Sequence, residues 1–318
     1  MRRYFLIQHQ DKPVPYMQAL MRCGYRRILS LKAADFLLLD RTIGGIFEGS
    51  STKIRPPVKQ AVDLGIPIFL YPHSTRPNVP YDLQEYRERN VNALFTIAEG
   101  HKEVLRRIGV DFDVEVCGWP YSKIKPFMPA ERKGLKILFA PIHPIGRKIA
   151  WLPDIDKELN KKAYDMLGQL KDVSVSVRHI SDLIYNGIEK KNDNFRHYTS
   201  MPKLTYNDIN NFDLIIGGFS LAYLAIALGK PVIMLGEGVM PHNTPRDGGR
   251  LILARNWDKY KDYMRYPYNI EEISDADELN DMIERAIKPS SDYEEWRKKF
   301  IGEPFDGDYF VKRLKSYL

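Results

Sequence analysis

Asp213–Leu235 reads DLIIGGFSLAYLAIALGKPVIML, and its order decides the fold class. Leu214–Gly217 is a short apolar run closed by two glycines, the pattern of a buried strand that ends abruptly. The helix Leu221–Leu228 follows, then the breaker Gly229-Lys230-Pro231, then a second strand over Pro231–Leu235. Strand, helix and strand at this spacing form a βαβ unit with parallel strands and a right-handed crossover. Glycines after the first strand let a ligand approach the backbone. The next helix offers free N–H groups and its positive dipole end to an anion. Ser220 reads as the N-cap of that helix, its hydroxyl serving the helix, a phosphate, or both. An ordinary αβ turn gives the same letters, so the signal is far less specific than a P-loop.

Working outward, the same alternation runs along the whole chain. Strands are expected over Tyr4–Ile7, Phe36–Leu39, Ile66–Tyr71, Ala93–Ile97, Asp113–Cys117, Lys136–Ala140 and Ser174–Arg178. Helices are expected over Val14–Cys23, Arg55–Leu64, Glu99–Ile108, Ile155–Leu170 and Asp275–Ala286. This predicts an α/β protein with two doubly wound, Rossmann-type sheets facing across a cleft. At 318 residues the chain exceeds one compact core, which fits two domains. The boundary falls in Gly118–Gly134, with Pro120, Pro126, Pro129 and the run Glu131-Arg132-Lys133, ahead of a fresh strand. Residues 1–125 and 126–318 are the expected domains, with the last helix packing back on the first.

Composition sets the outer limits. Apolar residues at 44% and charged residues at 28% are globular values. No apolar run approaches the 18 or so residues of a membrane span, and Tyr4–Ile7 is too short for a signal peptide. Two cysteines, Cys23 and Cys117, exclude a disulfide framework and a cysteine-built zinc site. The expectation is a cytoplasmic protein whose contact with a membrane, if any, is peripheral. Lys and Arg number 48 against 41 Asp and Glu, a net +7. The basic clusters (Lys161-Lys162, Lys190-Lys191, Arg297-Lys298-Lys299) are short and read as solvated surface.

In open α/β sheets ligands lie outside the carboxyl ends of the strands, so the loops after strands are where chemistry is sought. His73, in Pro72-His73-Ser74-Thr75-Arg76-Pro77, has the pKa range of a general base, or it caps a backbone carbonyl. His143 and Arg147, in Pro141–Arg147, suit phosphate oxygens, Arg in fork geometry and His as a donor. Arg178 and His179 end a strand on alternate faces, so one of them faces the cleft, and His179 is the choice. Glu237 follows the strand Pro231–Leu235 and reads as a ribose or hydroxyl partner or as a helix cap. His242 and Arg246 lie in the polar loop beyond it, and His9 follows the first strand. His101 and His197 read as surface residues. Neither a Walker loop nor a G-x-G-x-x-G occurs. The D-x-D pairs Asp275-Ala276-Asp277 and Asp306-Gly307-Asp308 read as a helix start and a turn, so no metal is expected.

The order of these pieces resembles the C-terminal half of GT-B-fold enzymes. It is most similar to the CDP-glycerol glycerophosphotransferases of teichoic acid synthesis and to the non-hydrolysing UDP-N-acetylglucosamine 2-epimerases. Ala140–Arg147, Arg178-His179 and Asp213–Leu221 match the segments that line the nucleotide-diphosphate donor there. Tyr71-Pro72-His73-Ser74 resembles their W-H-G loop, whose histidine is the proposed base. Cys117-Gly118-Trp119-Pro120 resembles their G-x-P, and Asp306-Gly307-Asp308 with Arg313 their closing D-G-x-x-x-x-R. Gly217-Gly218 stands where T-D is usual, and Phe219-Ser220-Leu221 carries one serine where two are usual.

The resemblance implies a metal-independent transferase that moves a glycosyl or polyol-phosphate group from a nucleotide-diphosphate donor, of UDP or CDP type, to an acceptor hydroxyl. His73 would be the catalytic base. His143, Arg147, His179, Gly217, Gly218, Ser220, Leu221 and Glu237 would bind the donor. The acceptor would be an anionic polymer, of wall or capsule type or DNA. A DNA-modifying glycosyltransferase, a sugar-nucleotide epimerase and a non-catalytic nucleotide-binding scaffold are the alternatives. The epimerase would need carboxylates facing the sugar, and Glu48, Glu115 and Glu237 are the candidates.

Overall fold

The computed structural model describes residues 2–7, 14–41, 56–72, 91–107, 109–110, 112–121, 123–141, 154–178, 188, 192–198, 206–235 and 261–318. In chain order the first elements are β1 (Arg3–Ile7), α1 (Val14–Arg22), β2 (Arg26–Arg27), β3 (Phe36–Arg41), α2 (Pro56–Asp63), β4 (Ile68–Pro72), β5 (Val91–Thr96), α3 (Glu99–Arg107) and β6 (Asp113–Val116). Then come β7 (Leu135–Ala140), α4 (Asp154–Leu167), β8 (Val173–Val177), β9 (Arg196–His197), α5 (Tyr206–Asn210), β10 (Leu214–Gly217), α6 (Phe219–Ala227) and β11 (Val232–Met234). The chain closes with α7 (Lys261–Met264), α8 (Ala276–Ala286), α9 (Ser291–Phe300) and α10 (Gly307–Ser316). Two compact units result: Met1–Tyr121 with Asn243–Met264 and Lys298–Leu318, and Ser122–His242 with Arg265–Arg297.

The first unit is built on a six-stranded sheet in the order β2-β1-β3-β4-β5-β6, with every pair parallel. Parallel strands covered on both faces read as unbroken apolar runs, and Phe36–Leu39 and Ile68–Tyr71 do so. Alternate residues point to one face, where Tyr4, Leu6, Phe36, Leu38, Phe69, Tyr71 and Phe95 form one core cluster. Tyr16, Ala19 and Leu20 of α1 and Phe310, Val311 and Leu314 of α10 join the same cluster. The opposite face buries Leu37, Leu39, Ile68, Leu70 and Leu94.

α10 is held at both ends. Asp306 caps its start, Oδ1 accepting from the N–H groups of Asp308 (3.0 Å) and Tyr309 (2.8 Å). The D-G-D expected as a turn is therefore a helix N-terminus, since a turn aspartate and an N-cap aspartate make the same local hydrogen bonds. Further along, Arg313 donates to Glu115 of β6, which also accepts from the hydroxyls of Tyr309 (3.0 Å) and Tyr317 (2.7 Å). Burial alone would raise the Glu115 carboxyl, but Arg313 and the two hydroxyls hold it below its usual value. Just before the helix, Cys117–Trp119 pairs with Glu303–Asp306. Trp119 N–H donates to the Glu303 carbonyl (2.7 Å), and Asp306 N–H to that of Cys117 (2.8 Å).

His101, expected at the surface, is fully buried on α3, its ring 6.0 Å from that of Phe300. The helix reads as polar because its charges outnumber its apolar residues, but His101, Val104 and Leu105 share the inward face. His197 is half-buried in β9 rather than on the surface, with Nε2 3.1 Å from the Tyr164 hydroxyl.

The second unit has a five-stranded parallel sheet in the order β11-β10-β7-β8-β9. α6 carries apolar residues around its circumference and is correspondingly enclosed, with Ala222, Ala225, Ile226 and Ala227 fully buried. Gly229 ends it at φ +73°, where a Cβ would run into the Pro126 carbonyl, so only glycine lets the 125–128 segment dock there. Lys230 is buried behind it and donates to the carbonyls of Phe212 (2.9 Å) and Asn210 (3.3 Å). Its pKa is lowered by that burial. Among the described residues no helix is long and apolar enough to cross a membrane.

Candidate functional site

The strand order of the second unit defines where a ligand can sit. β7 comes first in the chain and lies in the middle. β8 and β9 add to one side of it, and β10 and β11 to the other. The order reverses between β7 and β10, and at such a switch point the crossovers diverge and leave a crevice at the carboxyl ends. The paired residues there are Ala140 and Gly217. A Cβ on Gly217 would lie 3.2 Å from the Ala140 carbonyl oxygen and 3.3 Å from its Cβ. Glycine keeps the two strand ends in contact and their backbones bare.

α6 leaves this point directly. Gly218 is its N-cap, extended at φ −111° and ψ 174°, and Ser220 is the second helical residue. The expected N-cap at Ser220 is thus two residues early in the structure. β10 ends at Gly217 and the helix starts at Phe219, so one residue makes the whole turn. Gly218 has no side chain with which to cap the helix, and no acid occupies the first turn. The N–H groups that open an α-helix have no partner inside it, and here they stand beside a bare backbone at the switch point. Leu221, third in the helix, is buried and packs its base.

The strands that precede the other expected site residues in the chain are described, though those residues are not. β7 ends at Ala140, ahead of His143 and Arg147 in the chain. β8 ends at Val177, one residue short of the expected Arg178, whose N–H still donates to the Phe139 carbonyl at 2.9 Å. β11 ends at Met234, ahead of Glu237. In the first unit β4 ends at Pro72, the residue before His73. His73, His143, Arg147, His179, Glu237, His242, Arg246, His9 and Glu48 lie outside the described residues. Sequence reading included Ala140 in a donor-lining segment but not its pairing with Gly217, because strand pairing across 77 residues has no local signal.

Glu115, one of the three candidate carboxylates for sugar chemistry, is committed to Arg313 and two tyrosines of the α10 anchor. The D-x-D aspartates are likewise engaged, Asp275 and Asp306 each accepting two backbone N–H groups.

No protein-family model and no curated protein matches the sequence significantly. Solved structures do match over the full length. The UDP co-structure of MnaA from S. aureus shares 11% identity at a TM-score of 0.58, covering 100% of this chain and 97% of its own. The spinosyn rhamnosyltransferase SpnG shares 13% at 0.53, covering 99% and 100%. A calicheamicin glycosyltransferase shares 10% at 0.52, covering 100% and 98%. With its two parallel α/β units and this whole-length likeness, the chain has the GT-B fold.

Proposed function

We propose that the protein is a GT-B transferase that moves a glycosyl or polyol-phosphate group from a nucleotide-diphosphate donor to an acceptor hydroxyl. The observation that carries this reading is the N-terminus of α6. It is uncapped, free of acid, and set on bare glycine backbone at the switch point of the second sheet. The leaving group, a nucleoside diphosphate in glycosyl transfer or a nucleoside monophosphate in polyol-phosphate transfer, develops negative charge as its bond to the transferred group breaks, and fixed dipoles at that position stabilise it. The backbone at Gly218 and Leu221, with Ser220, meets the pyrophosphate. His143, Arg147 and His179, which follow β7 and β8 in the chain, add positive charge and donors in place of a metal. Glu237 binds donor hydroxyls, and His73, beyond β4 of the first unit, takes the acceptor proton. The likeness to MnaA with UDP and to SpnG supports a nucleoside diphosphate, and UDP or CDP is the assignment made here. The acceptor is an anionic polymer, and the setting is the cytoplasm.

A thermal-shift series with UDP, CDP, GDP and dTDP tests this. A ligand at roughly 100 times its Kd stabilises the folded state by about 2.7 kcal/mol, a shift of several degrees. One diphosphate should give it, in EDTA as well as without. His73→Ala should keep the shift and lose transfer. If no diphosphate moves the transition, the reading fails. Conversion of a UDP-sugar to its epimer without any acceptor would replace it.

A further inference from the structure

The chain's positive charge is concentrated. Seven of the first 34 residues are Lys or Arg and one, Asp11, is acidic, so this stretch holds six of the chain's seven excess charges. Six of those cations are described: Arg2, Arg3, Arg22, Arg26, Arg27 and Lys32, and all six are exposed. β2, an edge of the first sheet, brings them together. Arg26 N–H donates to the Arg2 carbonyl, and Arg3 lies in register with Arg26, two like charges side by side. Arg3 is partly neutralised by Asp35 at 3.5 Å, and Arg22 turns towards Gly307 at the start of α10. Arg2, Arg26, Arg27 and Lys32 remain along the rim.

Charges on an edge strand commonly block edge-to-edge pairing of sheets. That explanation does not account for the apolar side chains beside them. Leu29 is 90% exposed and Met21 62%, two of the four large apolar residues exposed among the described residues. They flank β2, Met21 near the end of α1 before it and Leu29 two residues after. Cations that keep an edge soluble do not need a bare leucine in their midst. A polyanion such as nucleic acid gains from the arginines but nothing from Leu29 or Met21. A bilayer interface rewards both, phosphates for the cations and the headgroup–acyl boundary for the apolar tips. We propose that the β2 edge, with Met21, Arg26, Arg27 and Leu29 at its centre, is a docking surface for an anionic lipid bilayer.

Co-sedimentation of the full chain with vesicles tests it, comparing pure phosphatidylcholine with a mixture holding roughly 30% phosphatidylserine. Binding is expected to the anionic vesicles and to fall with salt. Arg26→Glu/Arg27→Glu should weaken it at least tenfold and Leu29→Ser about fivefold, both with melting temperatures near that of the parent. No binding to the anionic vesicles overturns the proposal. So does a Leu29→Ser chain that binds as tightly as the parent. In that case a salt-steep gel shift on duplex DNA, lost in the double arginine variant, would reassign the edge to nucleic acid.

Discussion

The N-termini of α8 and α10 are closed by aspartates, and that of α6 is open. Asp275 accepts from the N–H groups of Asp277 (3.0 Å) and Glu278 (2.9 Å), and Asp306 from those of Asp308 and Tyr309. Both helices add an acid in the first turn, which suits the dipole. α6 has Gly218 at the same position and Phe219-Ser220-Leu221 after it. The backbones are alike: Gly218 is extended at φ −111° and Asp275 at φ −141°. Aspartate would therefore adopt the backbone of residue 218 without strain. The contrast is chemical rather than conformational, and it separates two helices capped by an aspartate side chain from one whose N-cap has no side chain to offer.

The sharpest way to break this contrast is Gly218→Asp, which gives α6 the cap of its siblings. Folding stability should hold or rise slightly, while diphosphate affinity falls at least about a hundredfold, near 2.7 kcal/mol, by titration calorimetry. Unchanged affinity would remove α6 from the site. Next in size, Glu115→Ala strips the anchor of α10 and leaves Arg313 without its anion. Arg313 is 37% exposed, so water offsets part of the loss, and about 2 kcal/mol is expected by urea unfolding. Asp306→Ala should cost about 1 kcal/mol and leave diphosphate affinity untouched, since this cap serves only its helix. The smallest effect is in pH. Glu115 is held below its usual value of 4.5 in the folded chain, so its contribution is complete at neutral pH and disappears as pH falls through the folded value. The gap in melting temperature between the parent and Glu115→Gln should narrow between pH 6 and pH 3. A constant gap would mean that the charge on Glu115 does not matter.

Much of the fold was legible because buried parallel strands write themselves as apolar runs. β10 lies where Leu214–Gly217 put it, since two glycines admit no continuation, and the other long strands differ by one or two residues at their ends. The two-residue strands β2 and β9 carry no periodicity and were invisible. α9 was not expected, and the last helix was expected without bounds, for another reason. Phe310, Val311 and Leu314 have helical spacing, but they are set among charges and follow a D-G-D that also spells a turn. The glycine turn at Gly217-Gly218 could be placed from letters alone. Its partner Ala140 and the N-cap at Gly218 needed the sheet, because register between distant strands is fixed by packing and not by local propensity.

The partition of the chain has a consequence for its synthesis. The second unit is complete once residue 297 has been made, whereas the first also needs Lys298–Leu318. Until then the sheet face bearing Phe69, Tyr71 and Phe95 lacks the cover of Phe310, Val311 and Leu314. The half of the protein that is translated first is the half that is finished last. A stop codon anywhere after 297 and before α10 would leave that aromatic surface uncovered.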